Sequence, residues 1–199
     1  MKKLIIVLTF FYFTLNTSFL QAYSSNPKEF VTELVNDAIT KLSSKDLNDE
    51  EKKKFIEDIA VNNIDINALG LYTLGELRKT TDKNSLNKYQ EAFQKYFLKS
   101  LTSRLTDYSS KKFEVINSEK KSANYTIVKS KILKSENQPE IKIDWRIYTK
   151  NPDKPLIRDL IVEGLSLART QKEEFASILS SNNNDINILI SKLLEFVNN

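Results

Sequence analysis

Ile141-Lys142-Ile143-Asp144-Trp145-Arg146-Ile147-Tyr148 decides the fold class. Its odd positions are apolar and three of its even positions are charged, a period of two that only an extended strand with one wet face satisfies. Outward from it the same period recurs. Phe113-Glu114-Val115 opens one strand and Tyr125-Thr126-Ile127-Val128 another, running to about Leu133. Leu156 to Glu163 is a fourth, rich in branched apolar residues. Short polar connections, Glu119-Lys120-Lys121-Ser122, Ser135 to Pro139 and Lys150 to Pro155, join them. Four consecutive strands so connected predict an antiparallel meander.

The flanks have helical spacing. Phe30, Val31, Leu34, Val35, Ala38 and Leu42 recur at intervals of three and four. Asn48 and Glu51 form a capping box before Phe55, Ile56 and Ile59. Asp65 to Gly75 is apolar all round, which predicts burial on several sides. A long helix from about Asn84 to Tyr108 carries Leu86, Tyr89, Phe93, Tyr96, Phe97, Leu101 and Leu105. After the strands, Thr170 and Glu173 read as a capping box before Phe175 and Leu179, with Ser166 as another candidate cap. Ile186, Leu189, Ile190, Leu193 and Leu194 mark a last helix. The expectation is one α+β domain, helices packed on one face of a curved four-stranded antiparallel sheet.

Composition narrows the chemistry. Among 199 residues there is no histidine and no cysteine, and there are only three glycines. That removes His-based triads, thiolate nucleophiles, disulfides and the usual zinc and haem ligand sets. It also removes glycine-rich phosphate loops. No cofactor, metal or catalytic residue is expected. Asp159 and Glu163 could form a carboxylate acid/base pair, but charged residues at strand ends more often belong to a solvated face. Gly164 is expected to hold a backbone conformation that a Cβ resists. The net charge of +4 is mild and its charges are interspersed, so nucleic acid is not an expected partner.

Met1-Lys2-Lys3 followed by the apolar run Leu4 to Leu15 reads as an export signal, with cleavage after Ala22. The expected division is a signal peptide over 1–22 and a single domain over 23–199. Loss of Lys2 and Lys3 lowers the charge from +4 to +2.

The aromatic stripe does not by itself distinguish a filled core from a lined cavity. Order and spacing of several segments add to it: Pro27-Lys28-Glu29-Phe30-Val31, Leu74-Gly75-Glu76-Leu77-Arg78-Lys79-Thr80-Thr81, Phe93-Gln94-Lys95-Tyr96-Phe97, Ile143-Asp144-Trp145-Arg146 and Asp159-Leu160-Ile161-Val162-Glu163-Gly164-Leu165-Ser166-Leu167. Together they resemble the MlaC (toluene-tolerance) family of periplasmic phospholipid-binding proteins of the Mla lipid-asymmetry system, over about residues 27–195. Two departures stand out. The aromatic expected near Leu74-Gly75 is replaced around Leu77-Arg78, and Lys172 stands where an arginine is usual.

The resemblance implies a soluble carrier in the periplasm. Its ligand would be a phospholipid held by its acyl chains in an apolar cavity between sheet and helices. Its partners would be an outer-membrane lipoprotein–porin complex and an inner-membrane ABC transporter with an MCE-domain subunit. It implies a cavity wall of Leu71, Tyr72, Phe93, Phe97, Ile143, Trp145, Ile147, Leu160, Val162 and Leu165. Burial of hydrocarbon at about 0.8 kcal/mol per methylene gives on the order of 20 kcal/mol for two chains, so headgroup recognition is expected to be weak. The competing readings are a cone-shaped α+β enzyme with a carboxylate base in an apolar pocket, and an envelope adaptor that binds no lipid.

Overall fold

The computed structural model describes residues 23–105, 112–134 and 139–199. The apolar run of the expected export signal, the expected helix end at Tyr108 and most of the Ser135–Pro139 connection lie outside them. The described residues form α1 (Pro27–Ser43), α2 (Asp49–Asn63), α3 (Ile66–Thr73), a 3-10 turn (Gly75–Lys79), α4 (Lys83–Leu105), β1 (Phe113–Ser122), β2 (Tyr125–Ile132), β3 (Ile141–Tyr148), β4 (Leu156–Val162), β5 (Leu165–Ser166), α5 (Leu167–Ser180) and α6 (Ile186–Asn198).

The meander is present as an antiparallel sheet in the order β1-β2-β3-β4-β5. It has one strand more than expected. Glu163 and Gly164 both take positive φ (49° and 84°), the conformation of a two-residue hairpin turn. That turn folds Leu165 and Ser166 back onto Val162 and Ile161 before α5 begins.

Register fixes two faces. Val128 opposes Trp145, which opposes Leu160, while Thr126 opposes Ile147. These side chains share the face on which α1 lies, and with Phe30, Val31 and Leu34 they make one hydrophobic core. On the other face, Tyr125 opposes Tyr148, Ile127 opposes Arg146, and Arg146 opposes Asp159. A bulge after Arg146 leaves Arg158 as the extra residue of β4.

A second core belongs to α3, α4, α5 and α6, around Leu69, Tyr89, Phe93, Phe175 and Leu189. It meets the sheet along β4, where Ile64 bridges to Ile157 and the Asp65 N–H donates to the Ile157 carbonyl. Ile64 packs against both cores.

Caps follow the sequence with one correction. The Asn48–Glu51 capping box of α2 is formed as expected. At α5 the cap is Ser166, not Thr170. Asp159 takes the Ala168 N–H and Ser166 takes the Arg169 N–H, so the helix starts a turn earlier and Thr170 lies inside it.

Candidate binding cleft

α3 owes its all-round apolar character to two different neighbours. Ile66, Leu69, Gly70 and Thr73 are buried toward the helical core. Leu71 is half-buried, and Tyr72 is 40% exposed. That second side faces a cleft of about 580 Å³ lined by Ala68, Leu69, Leu71, Tyr72, Arg78, Tyr125, Arg146, Arg158 and Ala168. The volume falls in the usual range for small-molecule sites, about 300–1,000 Å³. One wall is α3, another is the Tyr125–Arg146 face of the sheet, and Ala168 at the start of α5 closes an end.

Polar side chains fasten the walls. Arg158 donates from Nε and Nη2 to the same oxygen of Asp65, at 2.9 and 2.7 Å. Its Nη1 donates to the Tyr125 hydroxyl at 2.9 Å, and its guanidinium lies 3.4 Å from the centre of the Tyr148 ring. Partial burial opposes its charge, but hydrogen bonds to Tyr125 and Asp65 together with the Asp65 charge hold its pKa above the ordinary value. Asp65 also caps α3 by accepting the Ala68 N–H. One ion pair thus ties the bulge of β4 to the first turn of α3.

Asp159 is buried beneath the cleft. It accepts from the Ser166 hydroxyl at 2.6 Å and the Ala168 N–H at 3.0 Å, and lies 3.5 Å from Arg146. Glu163 is exposed in the hairpin turn and accepts the Lys142 N–H. The two carboxylates therefore serve a helix start and a strand end. A smaller hollow on the same sheet face, about 390 Å³, is lined by Lys129, Lys142, Asp144, Ile161, Glu163 and Gly164. Its two lysines and two carboxylates cancel. Among the described residues no cluster of carboxylates is arranged to hold a metal.

The ten residues expected at a cavity wall are dispersed. Leu71 and Tyr72 line the cleft. Phe93 is buried in the helical core with Phe97 packed against it. Trp145 and Ile147 are buried under α1, with Ile143 and Leu160 against them. Val162 is half-buried and Leu165 is 69% exposed beside the β4–β5 turn. None of these eight lines the cleft: Phe93 and Phe97 belong to the helical core, while the odd positions of β3, with Leu160 and Val162 opposite them, take the sheet face away from the cleft. Arg146 and Arg158 are cleft residues as well. Ala68, Leu69, Arg78, Tyr125 and Ala168 join them there, beside Leu71 and Tyr72 of the all-round apolar α3.

An antiparallel meander joined along β4 to a helical cluster defines an α+β protein with a cleft between helices and sheet. The chain belongs to the MlaC protein family, whose sequence pattern matches residues 31–195. Its fold is similar to that of the phospholipid-binding protein from Ralstonia solanacearum, solved in complex with a phospholipid. The TM-score is 0.69 at 17% identity, covering 84% of this chain and 94% of that one. No curated protein matches the chain by sequence.

Proposed function

We propose that this protein is a phospholipid carrier of the periplasm, binding acyl chains at the helix–sheet junction and passing lipid between membrane complexes. The observation that carries the reading is the cleft, walled by Leu69, Leu71 and Tyr72, on a family fold whose Ralstonia solanacearum relative was solved with a phospholipid. In this reading residues 1–22 are the export signal and 23–199 the working domain. Its partners are the outer-membrane lipoprotein–porin complex and the inner-membrane ABC transporter with its MCE-domain subunit, and the outcome is outer-membrane lipid asymmetry. The protein acts by binding and release, without catalysis.

A diacyl lipid is larger than a drug-sized ligand, so both chains do not fit a cleft of about 580 Å³ as it stands. The two cores beside it bury large side chains, Tyr89 and Phe93 on one side and Trp145 and Ile147 on the other. Holding both chains requires the cleft to widen, and the seam that Ile64 and the Arg158–Asp65 pair span is its border.

Organic extraction of the natively purified protein, read by mass spectrometry, tests the reading directly. About one phospholipid per chain is expected. Leu71→Glu places a carboxylate in the wall and should abolish loading while far-UV circular dichroism is unchanged. A folded variant that still carries lipid removes Leu71 from the wall, and a lipid-free native protein removes the carrier reading.

A further inference from the structure

The cleft is less apolar than a lipid wall read from sequence. Arg78, Arg146 and Arg158 line it, and no carboxylate does. Two carboxylates stand directly behind these cations, Asp65 against Arg158 and Asp159 against Arg146. One positive charge is left in surplus. The Lys172 ammonium, 5.3 Å from the Tyr72 ring, adds to it at the rim. Glu76 beside Arg78 is exposed and engaged with Lys79 at 2.7 Å.

The three arginines are not equivalent. Arg158 has Nε, Nη1 and Nη2 all committed to Asp65 and Tyr125. Arg78 commits Nη1 to the Gly75 carbonyl. The Arg146 side chain makes no hydrogen bond among the described residues, is 43% exposed, and has Asp159 at 3.5 Å. Asp159 in turn already accepts from Ser166 and Ala168. Arg146, and after it Arg78, therefore have guanidinium N–H groups open to an anion entering the cleft.

Resting on the phospholipid reading, we propose that the cleft selects phospholipids whose headgroup carries a net negative charge, with Arg146 and Arg78 as the residues that bind the headgroup anion. A phosphodiester is matched by the forked donors of a guanidinium whatever else the headgroup bears. The ammonium of a zwitterionic headgroup, however, meets an excess of cations, because both nearby carboxylates are engaged. Discrimination arises there, and the headgroup is recognised more strongly than hydrocarbon burial alone would give.

The test is a competition. The purified protein is incubated with vesicles of equimolar phosphatidylglycerol and phosphatidylcholine with identical acyl chains, recovered, and its bound lipid counted by mass spectrometry. Phosphatidylglycerol should be enriched about fivefold, the scale of one half-exposed ion pair, and less so as salt is raised. Arg146→Gln and Arg78→Gln should each move the ratio toward one, and Arg146→Lys should restore enrichment. Arg78 does not contact Asp159, so its variant stays informative if Arg146→Gln is destabilised by a stranded buried carboxylate. Uptake of both lipids in equal amounts, or an unchanged ratio in both glutamine variants, overturns the selectivity while leaving the carrier intact. Uptake of neither lipid by the wild type overturns both.

Discussion

The indole N–H of Trp145 donates to the Ser130 hydroxyl at 2.8 Å, and that hydroxyl donates onward to the Ile143 carbonyl at 2.8 Å. Ser130 is 1% exposed and Trp145 is 8% exposed, so water does not readily substitute for either partner. Ser130→Ala would leave the indole donor buried and unmet, at a cost of about 1–3 kcal/mol. Urea unfolding followed by fluorescence measures this cleanly, because Trp145 is the single tryptophan of the chain. An unshifted midpoint would mean the bond contributes nothing. The inward direction of Trp145 was legible from the alternation of Ile143, Trp145 and Ile147. Its occupant was not, since alternation places a side chain on a face without saying whether a helix or a cavity covers that face. Here α1 covers it, and Trp145 packs among Phe30, Val31, Val128 and Ile147.

α3 shows the complementary case. Eight residues, Ile66–Thr73, have too short a run to be stable alone, and the element depends on its cap and its neighbours. Asp65 supplies the cap and simultaneously holds Arg158 across the seam. Asp65→Ala therefore removes a capping acceptor and strands a half-buried guanidinium, a loss of about 2–3 kcal/mol. Asp65→Asn keeps the cap and should recover part of it, which thermal unfolding of the two variants will separate. If both melt like the wild type, the Asp65 side chain contributes nothing to holding the seam. The hairpin between β4 and β5 depends on backbone rather than contacts. Gly164 has φ of +84° and open space where a Cβ would stand, so Gly164→Ala should cost about 1 kcal/mol through conformation alone. Gly164 was marked in the sequence, but the two-residue strand after it was hidden, because two residues show no period. The Thr170–Glu173 pattern misled for a related reason. A capping box is a local signature, and the tertiary contact of Asp159 with Ala168 outranked it in setting where α5 begins.

At the scale of the molecule, two hydrophobic cores share one seam, and the proposed lipid site is the part of that seam that does not close. Each core was legible as periodicity; the seam was not, because it is made where elements distant in sequence meet, Asp65 with Arg158 and Tyr72 with Lys172. The composition noted at the outset now becomes an experimental opening. With no cysteine anywhere in the chain, a single introduced thiol can be labelled without competition. Tyr72 is 40% exposed at the cleft and Val61 is 50% exposed on α2 outside the cleft lining. Tyr72→Cys carrying a bulky maleimide should block lipid uptake from vesicles, while Val61→Cys carrying the same group should load as the wild type does. Unlabelled Tyr72→Cys isolates the loss of the ring from the insertion of the plug, and it should retain most uptake, since lipid held by area over several side chains loses little with one. The comparison turns on position alone, because label, charge and exposure are closely matched. Equal loading by both labelled proteins would show that lipid enters elsewhere, and equal loss would show that the label acts on the fold and not on the cleft.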